Sequence, residues 1–282
     1  MKKCWIDGKT ILITGASSGI GRELTKKFIL CNNAKVIGVG RREEKFKSLI
    51  AELGDKSELF EYRIFDVSIE QNWKDLQQEL QGKNLDVIIN NAGVLPRFES
   101  FDNFCKRNSE AKIADEIKKV IDTNFLAVAM CCAYLTPIIE KSPTPAIVNI
   151  ASSAGLCALP GISIYSASKS AVKNFTESIS LEKNYYVGLI CPGFTNTEIF
   201  RNQTRNTDSK LIKLIESDLT KMVNKIYRAI CKKKKRCVFG FDAKCMDRLY
   251  RLAPKSSLKL FRSVLKKSHI ELFEDVFNNS DA

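Results

Sequence analysis

The stretch from residue 11 to 31 constrains the fold most. A short, largely apolar run at 11–14 breaks into Gly15-Ala16-Ser17-Ser18-Gly19-Ile20-Gly21, and a stretch with helical periodicity follows from 22 to 31. An apolar run bounded by turn residues reads as a buried strand, and glycines at a strand-to-helix junction let the backbone approach whatever lies over it closely. The unit recurs. Strands are predicted at 35–39, 59–65 and 86–90, with helices at 43–53 and 70–81 between them. Strands alternating with helices of this length call for right-handed crossovers, which make the sheet parallel and cover both its faces. Beyond residue 94 the pattern predicts a loop, then a helix over about 114–136 and a strand at 146–152. A helix from near Tyr165 to about 183 follows, then a strand at 186–191 closed by Pro192-Gly193, a polar loop, a helix near 220–231 and a strand at 236–241. The expected class is α/β, a doubly wound parallel sheet in a three-layer sandwich.

Composition excludes several alternatives. With 44% hydrophobic and 27% charged residues the chain of 282 reads as a soluble globular protein. Its first ten residues lack the apolar core of a secretory signal, and the run 125–135 is shorter than a bilayer span. Ten cysteines without a regular framework suit a reducing cytosol better than a disulfide scaffold. A single histidine, His269, leaves no Ser-His-Asp triad, and Cys231, Cys237 and Cys245 lack zinc-ligand spacing, so no metal site is expected. Charge is uneven: among residues 201–282, 20 Lys and Arg stand against 9 Asp and Glu, a surplus of 11 out of the total of 13.

Tyr165 and Lys169 lie four apart on the predicted helix and so project from one face. A phenol ordinarily titrates near about 10, and a neighbouring cation favours its ionised form, so the pair is a candidate general acid. The spacing alone also occurs on many solvated helices. The glycine turn at 15–21 can place backbone N–H groups and a helix N-terminus against a phosphate. Taken alone, it is equally a glycine-containing βα turn.

Taken together, Thr14-Gly15-x-x-x-Gly19-x-Gly21, Asn90-Asn91-Ala92-Gly93, Asn124, Ser152, Tyr165-x-x-x-Lys169 and Pro192-Gly193-x-x-x-Thr197 resemble the classical short-chain dehydrogenase/reductase pattern. That resemblance covers the first two hundred residues or so and implies a Rossmann-type sheet of seven strands in the order 3-2-1-4-5-6-7. It implies that Tyr165 exchanges a proton with the substrate oxygen and that Lys169 lowers the Tyr165 pKa and holds the nicotinamide ribose. Ser152 would bond the substrate oxygen; Ser153 is the neighbour that competes for this role. Asn124 would hold a water linking the lysine to solvent. Asn124 stands 31 positions after Gly93, farther than the pattern usually has, which implies an insertion within 95–111.

For the cofactor, the resemblance implies that Gly15, Ser17, Ser18, Gly19, Ile20 and Gly21 cradle phosphate and that Asp66 and Val67 flank the adenine. Asn91, Ala92 and Gly93 would line its path, and Pro192, Gly193, Thr195 and Thr197 would cover the nicotinamide. At the position that normally carries an acid for NAD stands Gly40, followed by Arg41 and Arg42, which points to NADP(H).

Residues 1–242 are therefore expected to form an NADP-binding catalytic domain with a substrate loop at about 194–218. Residues 243–282 would be a basic amphipathic helical extension packed on it. That tail could lie on an anionic membrane surface or cover the substrate pocket or a second subunit. Residues Leu156, Leu159, Ile162, Phe194, Ile199 and Phe200, with Cys157 as a further wall residue, suggest a hydrophobic ketone or secondary alcohol of 3-oxoacyl, steroid or aromatic type. The expected protein is a cytoplasmic reductase, a homodimer or homotetramer, with peripheral membrane contact open. The basic run 232–236 lacks interleaved aromatics, and specific nucleic-acid binding is not expected. A catalytically silent NADP sensor of the same fold is the alternative.

Overall fold

The computed structural model describes residues 4–195, 197–198, 217–267 and 273–277. Seven parallel strands form one sheet in the order β3-β2-β1-β4-β5-β6-β7. They are β1 (Thr10–Thr14), β2 (Lys35–Gly40), β3 (Phe60–Ile64), β4 (Val87–Asn90), β5 (Ala146–Ile150), β6 (Tyr186–Pro192) and β7 (Arg236–Phe239). Side chains alternate across a strand, and the sequence supplies apolar residues on both parities. Ile11 and Ile13 of β1 face a core completed by Leu24 and Phe28 of α1 (Gly19–Asn32), Phe46 and Leu49 of α2 (Glu43–Leu53) and the helix Leu219–Cys231. Leu12 faces the opposite core, with Trp73 and Leu76 of α3 (Glu70–Glu79) and Cys131 and Leu135 farther along the chain.

The segment after β4 departs from expectation. In place of a loop, the insertion holds a short helix, α4 (Phe101–Arg107), whose N-terminus is capped by Ser100 Oγ accepting from Asn103 N at 3.1 Å. Arg107 forks onto the buried carboxylate of Glu99 at 2.7 Å, and Glu99 N donates to Gly161 O at 3.1 Å, so the insertion is tied to the loop before Tyr165. Helices α5 (Glu110–Ile121) and α6 (Ala127–Ile139) run on through a π-helical turn, Asp122–Leu126, which widens the ladder at Asn124. By length and composition the stretch Glu110–Ile139 could cross a membrane, but Cys131, Leu135 and Ile139 pack into the core against the sheet.

Tyr165 and Lys169 sit on α7 (Ser163–Glu182). β5 stops at Ile150, two residues short of the expected end, and β7 stops at Phe239 because Gly240 turns the chain at φ +111°. The helix Leu219–Cys231 is α8. The hairpin of α9 (Phe241–Leu252) and α10 (Pro254–Lys267) follows, then one helical turn, Glu274–Phe277. Most of the expected substrate loop, 199–216 with Ile199 and Phe200, and His269 lie outside the described residues.

Trp73 tests this packing. It is fully buried, its Nε1 donates to Val67 O at 2.7 Å, and Phe65 meets it edge-on at 5.4 Å. Trp73→Ala is expected to lower unfolding free energy by about 3–5 kcal/mol, read from the urea midpoint, whereas a loss below about 1 kcal/mol would contradict its place in the core.

Candidate active site

All seven strands are parallel, so their C-terminal ends share one edge, where open α/β sheets bind ligands. The segments leaving β1, β4, β5 and β6 meet there with Tyr165 and Lys169 in a single cleft. Its walls include Gly15, Ser18, Gly19, Ile20, Asn91, Ala92, Gly93, Ser152, Pro192, Gly193, Thr195 and Thr197. The structure thus brings together most of the residues singled out in the sequence.

The glycine turn is held by the segment after β4. Thr14 Oγ1 accepts from Asn91 N at 2.9 Å and Ala92 N at 3.0 Å, and Asn91 Nδ2 donates to Thr14 O at 3.0 Å. A Cβ at Gly21 would lie 2.4 Å from Gly15 O, so only glycine lets α1 start so close to the strand. Gly15 itself takes φ +67°, in the left-handed region. Ser18 caps α1 without a side-chain hydrogen bond, and no acid stands in the first turn. The N–H groups of that turn therefore face the cleft without a capping side chain, as an anion requires.

Asn124 is fully buried in the π turn. Its Oδ1 accepts from Val94 N at 2.7 Å, and its Nδ2 donates to Val94 O at 2.9 Å and Ser168 Oγ at 3.1 Å. The side chain thus fastens the β4 exit to α7.

Ser152 Oγ caps a 3-10 turn, Ser153–Gly155, by accepting from Ala154 N at 3.2 Å, and it lines the same cleft as Tyr165. The choice of Ser152 over Ser153 therefore rests on a tight turn, not on strand alternation. Gly155, which sequence reasoning missed, makes this possible: a Cβ there would stand 2.5 Å from Lys169 O, so α7 packs directly on the turn. Its only sequence signal is a glycine three places after Ser152.

Lys169 is 4% exposed, and its Nζ donates to Ile150 O at 3.3 Å. Burial pushes its pKa down to about 8. Its Nζ lies 5.9 Å from the Tyr165 ring centroid. Burial raises the half-buried Tyr165 phenol, and the neighbouring Ser152 hydroxyl acts the other way. Lys169 Nζ thus stands beside the Tyr165 ring while donating to the Ile150 carbonyl.

At the far end of the cleft a second hollow is lined by Ser17, Gly40, Arg41, Arg42, Asp66 and Val67. A Cβ at Gly40 would lie 3.0 Å from the Phe46 ring and 3.1 Å from Ser17 Oγ, so a larger side chain there would have to displace both neighbours by a few tenths of an ångström. Arg41 pairs with Asp66 at 3.3 Å, and Arg42 and Lys45 both pair with Glu198 at 3.0 Å. Glu198 was not anticipated; nothing local ties it to residues so far back in the chain. The same holds for Asp242. Its Oδ2 accepts from Phe194 N at 3.0 Å, both its oxygens would lie 2.4 Å from a Cβ at Gly193, and burial raises its carboxyl pKa.

Beside Tyr165 the wall is apolar: Leu95, Phe98, Leu159, Ile162 and Phe194. Behind it, Met246, Tyr250, Phe261, Phe273 and Val276 of the C-terminal segments complete one cluster, with Phe273 edge-on to Phe98 at 5.6 Å. Cys157 lies in that cluster, and burial pushes its thiol up to about 11. It is not among the residues facing the cleft. Among the described residues no group of three or more metal-ligating side chains is gathered.

The buried ammonium gives a pH test. In the unfolded chain Lys169 titrates near its ordinary 10.5, so between about 8 and 10.5 the unfolded state binds more protons and native stability rises with pH. Below pH 8 the full cost of burying the charge is present. Lys169→Met removes that cost and should raise Tm at pH 7 by about 5 °C, the gain fading toward pH 10.5 in calorimetry. A variant no more stable than the parent at pH 7 contradicts this.

Comparison with known proteins agrees with this geometry. The family model for short chain dehydrogenases matches residues 9–208. The chain is 34% identical over 199 residues to the benzil reductase ((S)-benzoin forming) of Saccharomyces cerevisiae, covering 68% of this chain and 73% of that one. A short chain dehydrogenase/reductase of Burkholderia phymatum in complex with NAD aligns over 91% of this chain and 96% of its own, at 25% identity and a TM-score of 0.73. A short-chain dehydrogenase of Sphingobium yanoikuyae in complex with NADPH aligns over 93% and 97%, at 25% identity and 0.70. With the family model spanning β1 to β6, the glycine turn and Tyr165 to Lys169, the chain belongs to the short-chain dehydrogenase/reductase family of nicotinamide-dependent oxidoreductases.

Proposed function

We propose that this protein is an NADP(H)-dependent reductase of hydrophobic ketones, able to run in reverse on secondary alcohols, with Tyr165 as general acid and base. The observation that carries this reading is the convergence of Ser152, Tyr165 and Lys169 at one end of a cleft whose adjacent wall is apolar. The cofactor fits the residues present. Gly15, Gly19 and Gly93 line the cleft without projecting a side chain into it, beside the first turn of α1.

When bound, the nicotinamide supplies the hydride. The 15–21 turn and the α1 N-terminus would hold the pyrophosphate, Asp66 and Val67 the adenine, and Pro192, Gly193, Thr195 and Thr197 the nicotinamide side. Arg41 and Arg42 are 61% and 46% exposed, and such exposed pairs contribute little, so a 2′-phosphate can draw both arginines from Asp66 and Glu198. Gly40 argues the same way, because it supplies no carboxylate to accept from a ribose hydroxyl and its neighbours crowd the position.

For the proton, burial holds the Tyr165 phenol in its protonated form, which suits a group that must give a proton to the carbonyl oxygen as the carbon accepts hydride. Ser152 Oγ is placed to bond the same oxygen and steady the charge as it forms. Lys169, with a pKa near 8, remains mostly cationic at neutral pH and contributes positive potential beside the phenol. The apolar wall, and a relative named for benzil reduction, favour an aromatic or comparably hydrophobic ketone.

Tyr165→Phe is expected to reduce NADPH oxidation with an aryl ketone by at least about a hundredfold while NADPH still quenches protein fluorescence. Substantial remaining turnover contradicts the assignment. Arg41→Ala with Arg42→Ala should raise the NADPH KM about tenfold and leave the NADH KM in place. Equal effects on both would remove the preference. A wild-type chain that binds NADPH yet consumes none with a broad ketone panel would favour the sensor reading.

A further inference from the structure

We propose that the α9–α10 hairpin docks the protein on an anionic lipid surface. The observation is a second apolar stripe on α9. Ala243, Met246 and Tyr250 face inward, the latter two joining the cluster behind the substrate wall. On the opposite side Phe241, Cys245, Leu249 and Leu252 recur at helical spacing, and Phe241, Leu249 and Leu252 are 78%, 40% and 83% exposed. A helix with one face packed in the fold gains nothing in water from a second apolar face.

The charges around that stripe say what covers it. Lys244, Arg248 and Arg251 border it on α9, and Lys255, Lys259, Arg262, Lys266 and Lys267 continue along α10, all of them exposed. The hairpin's two acids point elsewhere: Asp247 is buried and takes Arg236 in a fork at 2.8 and 3.0 Å, and Asp242 bonds Phe194 N. The outer surface of the hairpin is therefore cationic and apolar together. A second copy seated there would set this cationic surface against its equal, and a neutral apolar partner would leave the cations unmatched. A bilayer with anionic headgroups supplies both an apolar layer for Phe241 and Leu252 and negative charge for the border. Docked in this way, the cleft wall would stand about one helix diameter, ~10 Å, from the lipid, where hydrophobic carbonyls partition. The docking itself does not depend on the proposed reaction.

The test is sedimentation of the full chain with vesicles of phosphatidylcholine mixed with phosphatidylglycerol, and with phosphatidylcholine alone, at low and high salt. The expected result is binding to the mixed vesicles only, weakened by salt. Phe241→Ser with Leu252→Ser should weaken that binding about tenfold at low salt with unchanged far-UV circular dichroism and Tm. Lys255→Glu with Lys259→Glu should weaken it through charge alone. No binding to mixed vesicles overturns the proposal, as does binding indifferent to the Phe241 and Leu252 changes. Sedimentation equilibrium showing a dimer that the same two changes dissolve would assign the face to a second copy instead.

Discussion

The site depends on one close approach. Helix α7 lies so near the turn after β5 that a side chain at Gly155 would strike the Lys169 carbonyl at 2.5 Å, and Ser170 Oγ donates to Gly155 O at 3.2 Å across the same gap. That contact sets Ser152 against Tyr165 and sends the Lys169 ammonium back to the Ile150 carbonyl. Asn124 closes the arrangement from the other side by binding the Val94 backbone and Ser168. Three elements distant in sequence are thereby fixed within hydrogen-bonding range. This geometry is what general acid catalysis requires before any pKa is considered.

Such a site is expensive in stability. A buried ammonium and an Asp242 oxygen with no hydrogen-bond partner among the described residues both oppose folding. The two cores on either side of the sheet offset them, with Phe28, Phe46 and Trp73 fully buried. The division is spatial. The unfavourable groups gather at the C-terminal edge of the strands, and the core stabilises the body of the sheet.

What could be read from the sequence follows from the range of the interactions. The strand and helix alternation and the glycine turn are local patterns, so the fold class and the places of Gly15, Tyr165 and Lys169 were legible; the strand order came with the family resemblance. Strand ends were not, since Ile150 and Phe239 are stopped by the 3-10 turn and by Gly240. Insertion helix α4 carried a legible cap at Ser100, but the Glu99 to Gly161 tether that anchors it is long-range. Glu198 and Asp242 act on residues far away in the chain, and no spacing rule reaches them. For the tail, the basic amphipathic pattern was visible but left its apolar face unassigned; Met246, Tyr250 and Phe261 turn inward, while Phe241 and Leu252 remain outside.

The central claim is that this cleft delivers a hydride from the nicotinamide to a ketone carbon while the chain supplies the proton. Mass spectrometry of the alcohol formed from benzil with NADPH deuterated on one face of nicotinamide C4 tests it directly. The account predicts one deuterium on the carbinol carbon from one labelled face and none from the other. Alcohol without label from either face, or cofactor bound with no alcohol formed, would contradict it.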